Sequence, residues 1–261
     1  DLDTILERLA DYAETRQQLR QRVMHALIYP TILTVLSLVI VSGLLVYVVP
    51  QVVGVFENTG QQLPGLTAGL IAMSDFLRAN GLVLLVLLIA LAFGARRLLK
   101  QPGPRRRYHR FLLRLPVIGK LTQGINTARF TRTLSILAGS GVPVLEALRI
   151  SGEVVNNIPM REAVEESSLR VREGAPIGAS LASSRLFPPM TLHLISSGEA
   201  SGELENMLER AAVNQEREVD GLIATMLSIL EPVLILAMGA VVLIIVLAIL
   251  MPIFELNQLV A

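Results

Sequence analysis

The chain has no cysteine and no tryptophan, and aromatic residues make up only 4% of its 261 positions. Without cysteine there is no disulfide framework and no thiolate metal site, although this alone does not identify a compartment. Charged residues are sparse at 17%, while a hydrophobic share of 52% and a mean hydropathy of +0.57 are too apolar for an ordinary soluble domain. The 23 Lys and Arg nearly cancel the 22 Asp and Glu, which leaves little support for nucleic acid as a partner. Chemistry-bearing patterns are also missing. The one Gly-Lys pair, Gly119-Lys120, lacks the upstream glycine that would wrap a phosphate, and Leu121 follows it instead of Ser or Thr. His25, His109 and His193 lie far apart and belong to no metal-ligand pattern, and no serine sits in Gly-x-Ser-x-Gly. The chain therefore reads as a non-enzyme with no catalytic residue and no cofactor.

What it does have is three uncharged runs. Residues 27–49 are "LIYPTILTVLSLVIVSGLLVYVV", residues 79–99 include "ANGLVLLVLLIALAFGA", and residues 231–252 include "PVLILAMGAVVLIIVLAILMP". At 1.5 Å per residue each is long enough to cross a hydrocarbon layer of about 30 Å, with Arg96 and Arg97 of the second run snorkelling to the interface. Basic residues orient these spans. Arg8, Arg16, Arg20 and Arg22 precede the first; Arg96, Arg97, Lys100, Arg105, Arg106, Arg107, Arg110 and Arg114 follow the second; the loop 50–78 holds only Arg78 and the tail after the third span holds none. By the positive-inside rule the N-terminus and the 100–230 segment face the cytoplasm, whereas the loop and the C-terminal tail face outward.

The opening "DLDTILER" returns as "GELENMLER". Offset by 202 positions, Leu2 falls on Leu204, Leu6 on Leu208, Glu7 on Glu209, Arg8 on Arg210, Glu14 on Glu216 and Met24 on Met226. The same register sets Pro30 on Pro232 and Pro50 on Pro252, so helix, boundary proline, span and exit proline recur together. This predicts an internal duplication, each unit a cytoplasmic helical domain followed by a span, with the first unit truncated at the N-terminus. The expected division is a C-terminal helix of the first cytoplasmic domain at 1–26, span one at 27–49, a periplasmic loop at 50–78, span two at 79–99, a basic cytoplasmic linker at 100–124, a helical bundle at 125–230, span three at 231–252 and a periplasmic tail at 253–261. In the bundle, Ile125, Phe130, Leu134 and Leu137 form one stripe that closes on Gly139 and Gly141; Pro143 and Pro159 open further helices; Glu203 begins a long helix leading toward the third span. The fold class is an all-α membrane protein with three transmembrane helices and a cytoplasmic bundle of about six helices.

The strings "RFTRTLSILAGSGVPVLEALRIS", "VREGAPIGASLASSRLFPPMTLHLISSGEASGELENMLERAA" and "EPVLILAMGAVVLIIVLAILMPIFELN" resemble the inner-membrane platform family of type II secretion and type IV pilus machines, the GspF/PilC family, with the type II secretion component favoured. The resemblance covers nearly the whole chain. It implies a scaffold in the bacterial inner membrane that couples a cytoplasmic hexameric secretion ATPase to extraction of pseudopilin or pilin transmembrane helices, in contact with other inner-membrane platform components. Self-association into a homo-oligomer is expected. The family pattern would place another bundle before Asp1, whose function this sequence does not carry.

The charged residues fall into three groups. Arg96, Arg97, Lys100, Arg105, Arg106 and Arg107 read as anchors to anionic lipids, worth about 1 kcal/mol per basic residue near the surface. Arg161, Glu165 and Arg172 are candidates for partner binding on the bundle. So are Glu199 and Glu203 in "GEASGE", which are also weak candidates for a divalent cation; two carboxylates fall short of the six or more oxygens calcium prefers, and a turn at Gly202 is the plainer reading. An ion-coupled transporter is disfavoured, because no span carries Asp, Glu, Lys or Arg at depth. A membrane sensor would need more than the short loop outside the membrane; the larger inward face favours a scaffold read by cytoplasmic partners.

Overall fold

The computed structural model describes residues 65–260, together with 28–37, 39–43 and the single positions 17, 21, 24 and 47. Most of the helix expected at 1–26, the 50–64 part of the loop and the ends of span one lie outside the described residues. Among the described residues there is no strand: the chain is all helical. It divides into two compact units, the first made of Asp1–Gln21 with Ala95–Thr225, the second of Arg22–Gly94 with Met226–Ala261.

The described residues of the second unit are apolar helix. Helix α1 (Gly65–Leu98) contains a 20-residue window, Ala79–Leu98, whose side chains are not buried and which at 1.5 Å per residue is about 30 Å long. The expected loop 50–78 is thus helical from Gly65 onward. Nothing stops α1 there: between Gly65 and Leu98 the chain has no proline, and Leu66, Leu70, Met73 and Leu77 recur at helical spacing. Helix α8 (Leu204–Val260) contains the second stretch long and apolar enough to cross a membrane, Leu204–Ala248. Residues 28–37 and 39–43 are a shorter apolar helical piece. There Ser37 Oγ donates to the Leu33 carbonyl (2.7 Å) and lies against the Met238 sulfur of α8, so these two apolar segments meet.

The first unit contains α2 (Pro102–Arg114), α3 (Pro116–Gly139), α4 (Val144–Glu153), α5 (Ile158–Arg172), α6 (Ile177–Ala182), α7 (Pro189–Ser201) and the start of α8. The segment 100–124, expected as a linker, is therefore helix on both sides of a corner. Pro116 forbids a helical Leu115, which is extended at φ −72, ψ 134, and Pro116 then serves as the first residue of α3. At that corner a β-carbon on Gly119 would stand 2.5 Å from the Leu113 carbonyl oxygen, so only glycine lets α3 turn back against the end of α2. The core takes Phe130 and Leu134 from α3, Ala147 and Leu148 from α4, Met160 and Val164 from α5, Leu181 from α6, Ile195 from α7 and Leu208 from α8. Phe130 and Phe187 stack at a tilt with ring centroids 5.6 Å apart. Each fully buried large side chain contributes about 1.5–3 kcal/mol of transfer free energy, which is what fixes these short helices.

Candidate interaction surface

Two faces of the first unit carry the charged residues that are candidates for partner binding. On the first, α4 and α5 approach so closely that a β-carbon on Gly152 would meet Val164 Cγ1 at 3.1 Å. Above that contact opens a groove of about 530 Å³, floored by Leu148 and Val164 and edged by Leu145 and Leu169. Both edge leucines are exposed. Glu165 and Arg172 lie along it, two helical turns apart on α5, and neither enters an ion pair among the described residues. Across from them Arg149 donates to Glu146 Oε1 at 2.7 Å and to Glu153 Oε1 at 2.7 Å along α4. The hydrogen bond from Arg149 holds the Glu146 carboxyl below its usual range, and the Glu146 bond raises Arg149 in turn. The groove is thus apolar at its base and carries charge of both signs at its rim.

Arg161 belongs to the same stripe of α5 but faces another task. Its Nε and Nη2 donate to the Val155 carbonyl at 2.9 and 2.7 Å, and Nη2 also reaches the Glu153 carbonyl at 3.3 Å. It closes the α4–α5 turn. Beneath that turn Asn126 Oδ1 accepts the N–H groups of Asn156 (2.8 Å) and Asn157 (3.1 Å), while Asn157 Oδ1 caps α5 by accepting the Met160 N–H at 3.3 Å. His109 of α2 completes the knot: its Nδ1 accepts the Ile158 N–H (3.1 Å) and its carbonyl accepts Asn157 Nδ2 (3.3 Å). Burial, then Arg105, then Arg161, push the His109 imidazole below its usual 6.5, so it is held in the neutral form that can accept. Neither Asn126 nor His109 stands out in the sequence; the Asn-Ile-Pro string before α5 is the one local sign of the cap.

On the second face, Glu199 of α7 turns inward. Its two carboxylate oxygens accept the N–H groups of Ile177 (2.6 Å) and Gly178 (3.1 Å) and so cap α6 from another helix. Glu203 lies beyond the turn at Gly202, whose φ of 74 ends α7, and its side chain is exposed. Among the described residues no three His, Asp or Glu gather as metal ligands. Of the basic run, Arg96 and Arg97 occupy the last turn of α1, Lys100 follows it, Arg105 stands beside His109, Arg106 pairs with Glu162 of α5 at 2.7 Å, and Arg107 is exposed. The structure therefore keeps Glu165, Arg172 and Glu203 open to solvent, and engages Arg106, Arg161 and Glu199 within the unit.

The family described as "Type II secretion system (T2SS), protein F" matches residues 1–50 and 130–252. Type II secretion system protein F of Pseudomonas aeruginosa is 51% identical over 99% of this chain and 64% of its own length. The protein of the same name from Aeromonas hydrophila is 49% identical over 99% of this chain and 67% of its own. Type IV pilus assembly protein PilC of Thermus thermophilus is 40% identical over 97% of this chain and 63% of its own. The chain spans about two thirds of the length of these relatives.

Proposed function

This chain belongs to the type II secretion system protein F family, and from that membership we propose that it is a non-enzymatic platform of a type II secretion machine. With two helices long and apolar enough to cross a bilayer, it is an inner-membrane protein. In the proposed arrangement three spans cross the membrane at 27–49, 79–99 and 231–252, the N-terminus and 100–230 face the cytoplasm, and 125–230 forms a six-helix bundle, the second copy of a duplicated unit. The platform couples a cytoplasmic secretion ATPase to the withdrawal of pseudopilin helices from the bilayer, beside other inner-membrane components, anionic lipids and further copies of itself. The α4–α5 groove, with Glu165 and Arg172 at its rim, is the face offered to a cytoplasmic partner.

The observation that carries this reading is the higher identity to the protein F relatives than to the PilC relative. Assembly of a type IV pilus is the second reading, supported by the PilC matches over almost the whole chain. Site-specific photo-crosslinking in membranes tests both, with probes at Glu165, Leu169 and Glu203 and along the apolar half of α8. Adducts to a hexameric ATPase and to a pseudopilin support the platform; adducts to a pilin select the second reading; adducts only to a sensor kinase or a transport subunit overturn both.

A further inference from the structure

A second cleft, of about 520 Å³, lies between α2, α5 and the turn that follows α6. Five charged side chains line it: Arg110 and Arg114 of α2, Glu162 and Glu166 of α5, and Arg185 of the turn. Both carboxylates already have an arginine from outside the lining. Glu162 holds Arg106 at 2.7 Å, and Glu166 holds Arg170. Arg110, Arg114 and Arg185 enter no ion pair among the described residues, so three guanidiniums remain over one concavity.

Like charges do not gather in this way without a cost, and the turn adds another. Arg185 has a φ of 56 and is the single non-glycine residue with positive φ among those described. A β-carbon is disfavoured there, and glycine would take the same backbone freely. The turn is nonetheless fixed, since Arg185 N–H donates to the Ala182 carbonyl (3.1 Å) and Leu186 N–H to Ser184 Oγ (3.3 Å). An adjoining cleft shares Gln123 and Arg185 and adds one charge of each sign, Lys120 and Glu218. Planar guanidinium forks match the oxygens of a phosphate group two at a time, and a cleft with three guanidiniums against two already paired carboxylates suits a compact anion.

We propose that Arg110, Arg114 and Arg185 bind a phosphate-bearing anion in this cleft, either the headgroup of an anionic phospholipid or a soluble phosphate. The site owes nothing to the secretion reading. It differs from a general attraction of α2 to lipid, because it requires Arg185, which is remote in sequence from the basic run.

The full chain, solubilised in mild detergent, provides both arms of the test. Inorganic pyrophosphate is titrated calorimetrically, and in parallel native mass spectrometry compares retained phosphatidylglycerol with retained phosphatidylcholine. A soluble ligand shows as pyrophosphate binding, a headgroup as selective retention of phosphatidylglycerol. In whichever arm responds, Arg110→Gln with Arg114→Gln should weaken binding by about tenfold or more, as should Arg185→Gly, while Arg210→Gln on the exposed face of α8 leaves it unchanged. Arg185→Gly should do so without lowering the thermal midpoint. The proposal is overturned if the wild-type chain responds in neither arm, if the cleft variants bind as it does, or if Arg185→Gly lowers the midpoint and leaves binding intact.

Discussion

Arg132 of α3 grips Glu216 of α8 with both arms of its guanidinium, Nε to Oε1 at 2.8 Å and Nη2 to Oε2 at 2.5 Å. The two side chains are only 20% and 23% exposed, so the pair is shielded from solvent far more than a surface bridge. It fastens the start of the long helix α8 to α3 within the first unit. Arg132→Lys keeps the charge but loses the fork, and Glu216→Gln keeps the shape but loses the charge. Each should lower stability by about 1–2 kcal/mol, between the values for exposed and fully buried pairs. A double-mutant cycle on thermal melts of the detergent-solubilised chain measures it; additive single effects would show that the fork contributes nothing.

Stability should also fall in mild acid because of His109. Its folded value lies below the ordinary 6.5, so as pH drops through 6.5 the unfolded chain takes up a proton that the folded chain refuses. The penalty grows until the lowered folded value is reached and is constant below it; above about pH 7 it is absent. Protonation would also place an N–H where Nδ1 now accepts from Ile158. Thermal midpoints of wild type and His109→Gln, compared from about pH 7.5 down to about pH 5.5, should converge as the acid is approached, and parallel curves would assign the pH dependence elsewhere.

Much of the helical order is legible locally. Pro143 stands immediately before α4 and Pro159 in the first turn of α5; Gly141, Gly174 and Gly202, all at positive φ, follow α3, α5 and α7. The apolar windows at 79–98 and in α8 follow from composition alone. What is not legible depends on partners distant in sequence. The α2 helix is basic along its length and looks like a solvated linker, yet Arg106 finds Glu162 and His109 finds Ile158, about fifty residues on. Arg161 looks like a free surface charge because carbonyl acceptors leave no trace in side-chain patterns. Glu199 looks like a ligand for the same reason: the amides it caps belong to another helix.

That capping role gives the next expectation. Helix α6 has six residues and no side-chain cap of its own, so Glu199 supplies what its first turn lacks. Glu199→Ala should cost about 1 kcal/mol, in the range for loss of an N-cap, and Glu199→Gln, which keeps one accepting oxygen, should cost less. Calcium added to the wild type should leave the midpoint in place, whereas a calcium-dependent rise lost in Glu199→Ala would restore the cation reading for Glu199 and Glu203.

Helix α6 also presses on α7, where a β-carbon at Gly178 would stand 2.0 Å from Ser196 Oγ and 3.2 Å from Ser196 Cα. The hydroxyl can rotate away, but the backbone behind it cannot, so Gly178→Ala should separate the two helices and cost about 1–3 kcal/mol as an overpacked contact. Ser196→Ala removes only the nearer atom. The double variant should recover part of the loss, and no recovery would mean that the helix backbones rather than Ser196 set the limit.

The residues on α5 divide between an open face and a structural one. Arg161, Glu165 and Arg172 share a helical stripe, but the Arg161 guanidinium closes the α4–α5 turn on two carbonyls while Glu165 and Arg172 edge the open groove. Arg161→Glu leaves those carbonyls facing a carboxylate and should lower the melting midpoint together with the amount of protein in the membrane, an effect of about 2 kcal/mol or more. Glu165→Arg and Arg172→Glu meet no such obligation and should leave both the midpoint and the protein level within the small range of surface changes, about 0.5 kcal/mol. If the groove receives a partner, these two reversals should nevertheless abolish secretion in cells, and Leu169→Asp at the apolar edge should do the same. Secretion that survives all three at normal protein level would remove the α4–α5 groove from the machine's working contacts.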